Sequence, residues 1–296
     1  FFLVVGTVKG GTSALGCAAE AHPSIGMLRI EAPIYESHFF NGNASFYSNW
    51  DRGQAWYERS LDGLKASLVG EKSPDYLCDP EAPMRIFSLY PRVTIIALLR
   101  EPVARAYSHW NMIKQQHVTR GTGEYACPEP TPHEWAEDID NPCGFVVSGR
   151  YILHLQRYEK LFPRSALNVF IYEELRAQPK EHEYDEIWRA LGVPERFKPR
   201  NKGCAFTTPY PVPLDAHELH ATRCRLQRDY APYNERLYTW LGRRISAWDE
   251  RALSCMPRAC LGLLGPLRCT KNLTRVLLDR ELWGGSRVRA ERAEAM

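Results

Sequence analysis

The small net charge and several missing sequence patterns exclude some classes of protein. Its formal net charge is only +3, too small to indicate a nucleic-acid-binding protein. No run of 18 apolar residues occurs, so the given chain contains no membrane-spanning segment. None of its cysteines forms a Cys-x-x-Cys pair, which argues against a zinc ribbon, and no metal site is predicted. No internal repeat is evident, and 296 residues at 44% hydrophobic composition can bury one large core, with or without appendages.

The nine cysteines are an odd number, so at least one is unpaired within a monomer. Cys127 and Cys143 flank a proline-rich segment, where either a disulfide in an oxidising compartment or two buried thiols would fit. Two N-glycosylation sequons, Asn43-Ala-Ser45 and Asn272-Leu-Thr274, permit a lumenal location. The chain begins at Phe1 on a core strand, which suggests a trimmed domain whose targeting segment is not included.

A phosphate-binding turn is indicated by Phe2–Leu15, where an apolar β-type run enters a glycine-rich turn and then a helical segment. Backbone N–H groups and the positive helix end face an anion in such a turn. A nucleoside-triphosphatase loop needs Gly, four residues and then Gly-Lys-Ser/Thr. Gly6 and Gly11 have that separation, but Thr12 occupies the lysine position, and the lysine is Lys9, inside the turn. Walker-type ATP hydrolysis is therefore disfavoured, and an ordinary βα turn is the alternative.

A second anion site is indicated at the end of the apolar run Val93–Leu99, which is typical of a parallel strand buried on both faces. Pro102 suits the first position of a helix, so Arg100 is expected at the carboxyl end of the strand, where ligands bind in α/β sheets. A guanidinium can hold a phosphate through two parallel hydrogen bonds, and the Ser108 hydroxyl could share that anion. The alternative for Arg100 is a surface ion pair with Glu101.

Groups suited to acid–base chemistry lie between these two segments. Glu36 and His38 are two residues apart, so both side chains point the same way on an extended segment, and Lys72 follows another apolar run. Transfer of an anionic group needs a base for the acceptor's proton and cations around the oxygens. Glu36 suits the base, and Lys9 and Lys72 suit the cations. The alternatives are a solvated or helix-capping acid for Glu36 and a core-edge histidine for His38.

These motifs resemble those of the sulfotransferases that use 3′-phosphoadenosine-5′-phosphosulfate (PAPS). Lys9-Gly-Gly-Thr-Ser13 is similar to their 5′-phosphosulfate loop, and Arg100 and Ser108 are similar to the pair that holds the 3′-phosphate. Glu36-Ser-His-Phe-Phe40 and Glu71-Lys-Ser-Pro-Asp-Tyr76 resemble segments of the heparan-sulfate branch, the N-deacetylase/N-sulfotransferases and 3-O-sulfotransferases. The cytosolic branch typically uses a histidine base after a Pro-Lys-Ser-Gly-Thr loop, and neither feature is present.

The resemblance implies an α/β sulfotransferase fold with a P-loop-like central parallel sheet flanked by helices. It also implies PAPS as the donor, 3′-phosphoadenosine-5′-phosphate (PAP) as the product, and no metal. Glu36 would be the catalytic base, with Lys72 as the substrate or transition-state lysine, Lys9 stabilising the sulfonate, and His38 as a helper or substrate contact. The implied donor-binding residues in the well-matched part are Lys9, Gly10, Gly11, Thr12, Ser13, Arg100 and Ser108.

The resemblance covers about residues 2–241, but its specific motifs lie in the first 110. Lys202 is expected to cover the 3′-phosphate and Phe206 to lie near the adenine, although the family's third basic residue and the evident disulfide bracket are missing there. Asp229–Leu237 resembles the motif that packs the family's last helix on the core.

The remaining pattern predicts one wrapped α/β domain at 1–244 and a Cys/Arg-rich extension of unknown role at 245–296. Residues 118–145 are broken by proline and glycine, as is typical of an acceptor-side loop. The predicted strands lie near 2–5, 67–70, 93–99 and 166–172, and the predicted helices at 12–22, 80–90, 102–117 and 146–162.

Together these features predict transfer of a sulfuryl group from PAPS to a hydroxyl or amine of a glycosaminoglycan-like carbohydrate. The alternatives are a sulfotransferase for a non-glycan small molecule or protein tyrosine, a P-loop kinase, and a non-catalytic relative that lacks a working base. A polysaccharide is the expected partner, without nucleic acid, and with a membrane only through a segment absent from this chain. The expected location is the Golgi lumen or secretory pathway, and the alternative is the cytoplasm.

Overall fold

A parallel sheet of five strands organises the structure, a computed structural model that describes residues 1–28, 30, 36–42, 48–120, 144–198, 219–253 and 255. The strands are β1 (Phe2–Gly6), β2 (Ile25–Met27), β3 (Leu68–Lys72), β4 (Thr94–Leu99) and β5 (Leu167–Ile171). Their order across the sheet is β2-β3-β1-β4-β5, and every neighbouring pair is parallel. The carboxyl ends of all five strands therefore meet at one edge, where open α/β sheets bind ligands.

Helices lie between the strands and after the last one. They are α1 (Thr12–Ala21), α2 (Gln54–Leu61), α3 (Ala82–Leu89), α4 (Pro102–Arg120), α5 (Tyr151–Glu159), α6 (Tyr172–Arg176), α7 (Asp185–Ala190), α8 (His220–Leu241) and α9 (Ser246–Leu253). Within the described ranges, no helix combines the length and apolar character needed to cross a bilayer.

The central strands are buried on both faces of the sheet. Leu3 and Val5 of β1 pack in a cluster with residues of α3 and α5, whereas Phe2 and Val4 pack on the other side with residues of α1 and α7. This division follows from the strand period, which directs successive side chains to opposite faces. Because both faces are covered by helices, every position of β1 is apolar or glycine, as expected for a strand buried on both sides.

The predicted α/β fold with a central parallel sheet is confirmed, and β1, β3, β4 and β5 lie at the predicted strands. Helix α5 begins at Tyr151 instead of 146, because Val147–Gly149 form a 3-10 turn. The sequence did not predict β2, which is only three residues long, or α2, in which Tyr57 is the buried residue. Neither segment is long or apolar enough to show a periodic pattern.

The C-terminal helices fold back on the sheet domain. Helix α8 contains Pro232, and its last turns bring Leu237 and Tyr238 into the same core cluster as Trp248 of α9. The start of the predicted extension therefore packs on the domain, while 256–296 lie outside the described residues, so the role of the extension stays a prediction. Within the predicted acceptor-side loop, 118–120 continue α4, and 121–143 with Cys127 and Cys143 also lie outside.

Cysteines in the described part differ in state. A disulfide joins Cys224 of α8 to Cys255, just beyond α9. Cys17 is also disulfide-bonded, whereas Cys78 is a free thiol. The Cys224–Cys255 bond ties the last described helix to α8, in addition to the packing of Trp248 in the core.

Removal of the Cys224–Cys255 disulfide should weaken this C-terminal packing. The two residues are 31 apart in sequence, and closing a loop of this size contributes about 3–4 kcal/mol by the chain-entropy relation. We expect the double variant Cys224→Ser/Cys255→Ser to lose about that much free energy of unfolding, measured by urea denaturation. A reducing agent should abolish the difference from the wild type. Equal stability of the two proteins under oxidising conditions would contradict the prediction.

Candidate active site

The turn between β1 and α1 is held against the end of β4. The backbone N–H of Thr7 donates to the carbonyl of Leu98 at 2.9 Å, and that of Gly10 donates to Thr7 at 2.8 Å. A Cβ atom at Gly10 would lie 2.5 Å from the Leu98 carbonyl oxygen, so a larger residue would push the turn off the strand. Gly11 has φ +96°, a conformation that favours glycine. Both glycines are therefore required by the shape of the turn.

The helix end that follows this turn is suited to an anion. Gly11 precedes α1 without a side-chain cap, and the first turn of the helix has no acidic residue. The first N–H groups of a helix have no partner within the helix, and together with the helix dipole they favour negative charge. Thr12 and Ser13 begin this turn, where Thr12 is buried and Ser13 is exposed.

Lys9 and Arg100 meet beside the turn. Arg100 follows β4 at the carboxyl edge, and its Nη1 donates to the Lys9 carbonyl at 3.2 Å. Burial, followed by the charge of Arg100, lowers the pKa of Lys9. The guanidinium lies over the ring of Tyr172, 5.0 Å from its centroid, and its buried Nε has no hydrogen-bond partner among the described residues. Two cations held this close favour a bound anion.

Ser108 lies on α4 and is buried, with 1% of its surface exposed. Glu101, the alternative partner for Arg100, has a structural role at the start of α4. Its carboxylate caps α4 by accepting from the backbone N–H groups of Val103 at 3.1 Å and Ala104 at 2.7 Å. Glu101 is therefore a buried helix cap, and the roles of Arg100 and Ser108 toward a nucleotide stay predictions.

Two further residues of α4, Arg105 and His109, lie near this positive region, and the sequence did not single them out. Arg105 is fully buried and its Nη1 lies 3.4 Å from Nδ1 of His109. Burial, the charge of Arg105 and the charge of Lys9 lower the pKa of His109 well below its ordinary value. His109 is therefore neutral at physiological pH, and the positive charge at this edge comes from the lysine and arginine side chains. The one sequence signal for Arg105 and His109 is their position on the helix that follows the strand-end Arg100.

The structure brings Glu36, His38 and Lys72 together at the same edge. The ammonium of Lys72 forms an ion pair with Oε1 of Glu36 and lies 3.5 Å from the hydroxyl of Ser13 in α1. The Nε2 of His38 lies 3.4 Å from Oε2 of Glu36. Each oxygen of Glu36 therefore has its own cationic partner, and Lys72 connects the carboxylate to the start of α1.

This arrangement fixes the protonation states of Glu36 and His38. Burial works to raise the pKa of Glu36, but the hydrogen bond from His38 and the charge of Lys72 outweigh it and lower the pKa to about 2. Burial works to lower the pKa of His38, but hydrogen bonds to Asp75 and Glu36 outweigh it and raise the pKa to about 10. At neutral pH the site therefore holds a carboxylate between an ammonium and an imidazolium.

Asp75 is a site residue that the sequence did not assign. It lies in the turn after β3, and its Oδ2 is 3.1 Å from Nδ1 of His38. The side-chain amide of Asn41 donates to the same oxygen at 2.7 Å. Both of its partners lie more than 30 residues away in sequence, so only the folded chain shows the contact.

A buried carboxylate, Glu71, holds this part of the site in place. Its Oε1 accepts hydrogen bonds from Ser37, from Ser73 at 2.8 Å and from Tyr76 at 2.8 Å, and its Oε2 accepts from Tyr57 at 2.5 Å. Four hydroxyl donors compensate the burial of the charge. Because Ser37 lies between Glu36 and His38, this cluster fixes the segment that carries the candidate base.

The aromatic pair after His38 belongs to the core. Phe39 and Phe40 are fully buried, and the ring of Phe39 stacks on Tyr57 with centroids 4.5 Å apart. The two rings anchor the segment 36–41 to the core. Because both rings are buried, they are out of reach of an acceptor. Lys202 and Phe206, expected to cover the nucleotide, lie outside the described residues.

The chain matches a known protein family. The family model of the sulfotransferase domain matches residues 2–219, and the chain belongs to this family. The predicted family and the predicted enzyme class, EC 2.8.2, are thereby confirmed. Membership implies PAPS as the sulfuryl donor. Within the part of the chain that the structure describes, the start of α1 has no side-chain cap and the Nε of Arg100 has no partner, which is consistent with such a doubly phosphorylated ligand.

Two relatives and one solved structure are similar to the chain over most of its length. It is 32% identical over 206 residues to bifunctional heparan sulfate N-deacetylase/N-sulfotransferase 4 of Mus musculus, covering 66% of this chain but only 22% of that protein. It is 28% identical over 269 residues to heparan sulfate glucosamine 3-O-sulfotransferase 6 of Mus musculus, covering 83% of this chain and 73% of that protein. A sulfotransferase structure from Alicyclobacillus acidocaldarius superimposes with TM-score 0.64 at 26% identity, covering 83% of this chain and 97% of that one.

The charge state of His38 leads to a pH prediction. Because its folded pKa is raised to about 10, the protonated ring stabilises the fold fully below pH 6.5, and this contribution is lost as the pH rises through about 10. We expect the imidazole resonances of His38, assigned with a His38→Gln variant, to show no titration between pH 5 and 8. A His38 midpoint near 6.5 would contradict the arrangement.

Proposed function

We propose that this chain transfers a sulfuryl group from PAPS to a hydroxyl or amine of a carbohydrate acceptor. The observation that carries the proposal is the position of Glu36, an ionised carboxylate held between Lys72 and His38 beside a phosphate-binding turn. Sulfuryl transfer requires a base beside a positively charged site that binds an anion. The base is needed because the acceptor loses a proton, and the positive charge because negative charge develops on the donor side.

In this proposal the donor is bound by two groups of residues. The turn and helix start would hold the phosphosulfate, through Lys9, Gly10, Gly11, Thr12 and Ser13. Arg100 and Ser108 would hold the 3′-phosphate, with Lys202 covering it. A grip on the phosphate group at each end of the donor would orient the sulfur for attack.

PAPS supplies the activated sulfuryl group when bound. Glu36 would accept the proton of the acceptor hydroxyl or amine, while Lys9 and Lys72 balance the charge that develops toward the nucleotide. A carboxylate whose pKa is about 2 is a weak base as long as Lys72 is paired with it. We therefore assign Lys72 two partners: Glu36 before the donor binds, and the donor oxygens afterwards. Its proximity to Ser13, at 3.5 Å, supports this exchange.

A carbohydrate acceptor is supported by the relatives, whose names specify heparan sulfate and glucosamine. A non-glycan small molecule and a protein tyrosine are the alternative acceptors. A kinase is disfavoured, because Thr12 occupies the position of the Walker lysine and the family model is that of sulfotransferases.

The proposed location is the secretory pathway, with the Golgi lumen as its expected compartment and the cytoplasm as the alternative. Disulfides persist mainly in oxidising compartments, and the bond between Cys224 and Cys255 supports this choice. In the same proposal residues 1–244 form the catalytic domain, and the part of the chain after 244 is an extension tied to it by that disulfide.

Donor binding can be tested by calorimetry with PAP, using ATP–magnesium as the competing ligand. We expect PAP to bind selectively and Lys9→Ala to weaken it about tenfold to a hundredfold, as for a lost charged hydrogen bond. Lys65→Ala, an exposed lysine before β3, is the matched control and should bind PAP like the wild type. Preference for ATP–magnesium would move the chain to the kinases, and equal binding by Lys9→Ala would remove the turn from the donor site.

The base can be tested with Glu36→Gln, which keeps the side-chain shape and removes the proton acceptor. We expect PAP binding to persist while turnover of PAPS with heparan sulfate as acceptor falls by about 10²–10⁴-fold. Glu186→Gln, an exposed acid on α7, is the control and should keep full turnover. Undiminished turnover by Glu36→Gln would show that another group accepts the proton.

A further inference from the structure

The carboxylate of Asp75 lies behind His38, on the side of the ring away from Glu36. Its Oδ2 faces Nδ1 of His38 at 3.1 Å, while Nε2 of the same ring faces Glu36 at 3.4 Å. A histidine with a carboxylate at each ring nitrogen is held with both nitrogens protonated. The three residues therefore form a line in which an imidazolium separates two acids.

Asp75 is itself held on the rigid part of the molecule. The turn that carries it is pinned to β1, since the N–H of Ser73 donates to Val4 at 3.2 Å and that of Leu77 donates to Val5 at 2.7 Å. The Asn41 amide donates to the same Asp75 oxygen at 2.7 Å and fixes the carboxylate from the other side. A side chain with this support can set the orientation of another.

His38 needs such support, because its backbone and ring are both constrained. Its φ is +49°, in the left-handed region that a residue with a side chain adopts only when its surroundings impose it. Its backbone N–H donates to the hydroxyl of Ser73 at 3.1 Å, which is part of the same turn as Asp75. The turn after β3 thus holds the backbone of His38 through Ser73 and its ring through Asp75.

We propose that Asp75 is a positioning residue for the transfer reaction, which orients His38 and keeps its ring protonated so that Nε2 donates to Glu36. The inference rests on the proposed role of Glu36 as base. Among the residues that the structure describes, the charged groups that face this ring are Glu36 on its own segment and Asp75 on the turn after β3, with Lys72 on the far oxygen of Glu36. The raised pKa of His38 is consistent with these contacts.

The functional consequence is control of the base. With His38 on Oε2 and Lys72 on Oε1, the carboxylate of Glu36 is fixed in one orientation. If Lys72 turns to the donor, His38 is the partner that remains, and it keeps Oε1 free to receive the acceptor's proton. Without Asp75 the ring would lose its proton at lower pH and would no longer be held against rotation.

The test compares Asp75→Asn with the wild type in three measurements. The pKa of His38, followed by NMR, should fall by about one to three pH units, as expected when an opposite charge is removed. Turnover with heparan sulfate as acceptor should fall about a hundredfold, as for a misplaced reacting group, and the basic limb of kcat/KM should move to lower pH with His38. The Kd of PAP should remain unchanged, because Asp75 contacts no residue of the donor turn in the described part of the site.

Two further variants separate positioning from folding. Asp75→Glu keeps the charge and should restore much of the His38 pKa. Asp79→Asn removes a neighbouring acid that caps backbone N–H groups of Gly42 at 2.7 Å and Glu81 at 2.8 Å, so it should lower stability without moving the titration of His38. An unchanged His38 pKa in Asp75→Asn, or an equal shift in Asp79→Asn, would overturn the inference. Loss of turnover in Glu36→Gln with normal turnover in Asp75→Asn would overturn it while leaving the proposed function intact.

Discussion

The arrangement of the site depends on the buried carboxylate of Glu71. It sits on β3 next to Lys72, and the strand period sends the two side chains to opposite faces of the sheet. Glu71 gathers the hydroxyls of Ser37, Ser73, Tyr57 and Tyr76, so α2, the segment 36–41 and the turn after β3 converge on one charge. Lys72 then meets Glu36 on the other side. An apolar residue at 71 would leave four buried hydroxyls without this acceptor, at a cost of about 1–3 kcal/mol for each unsatisfied group.

Charge is divided along the carboxyl edge of the sheet. Lys9 and Arg100 lie together beside the helix start with their positive charges in mutual repulsion, which contributes to the lowered pKa of Lys9. Around Glu36 the charges alternate in sign instead, from Lys72 through Glu36 and His38 to Asp75. The first half is stabilised by an incoming anion, because a ligand that binds only the native state raises its stability. The second half is already neutralised internally, because its two positive groups are paired with two negative groups.

Much of this edge could be predicted from the sequence, because parallel strands bring their carboxyl ends together. Lys9, Lys72 and Arg100 each follow an apolar run, and that pattern alone places them at one edge. The role of Glu71 could not be predicted, because two of its hydroxyl partners, Ser37 and Tyr57, come from other segments of the chain, 34 and 14 residues away. Asp75 reaches His38 across 37 residues, a distance along the chain that no periodic pattern reports. The short strand β2 and the half-exposed helix α2 were not predicted either, because each buries too few side chains to show a periodic pattern.

Lys72 links the two halves, and this link has a thermodynamic consequence within the proposed mechanism. Its ammonium is one of the groups that lower the pKa of Glu36, and it lies 3.5 Å from Ser13 at the donor turn. Any ligand that draws Lys72 toward the turn must raise the pKa of Glu36 and make it a stronger base. Coupling of this kind is reciprocal, so a protonated Glu36 must in turn release Lys72 and favour the anion. The base would then be weak in the free enzyme and gain strength when the donor is in place, so proton abstraction would be tied to donor occupancy.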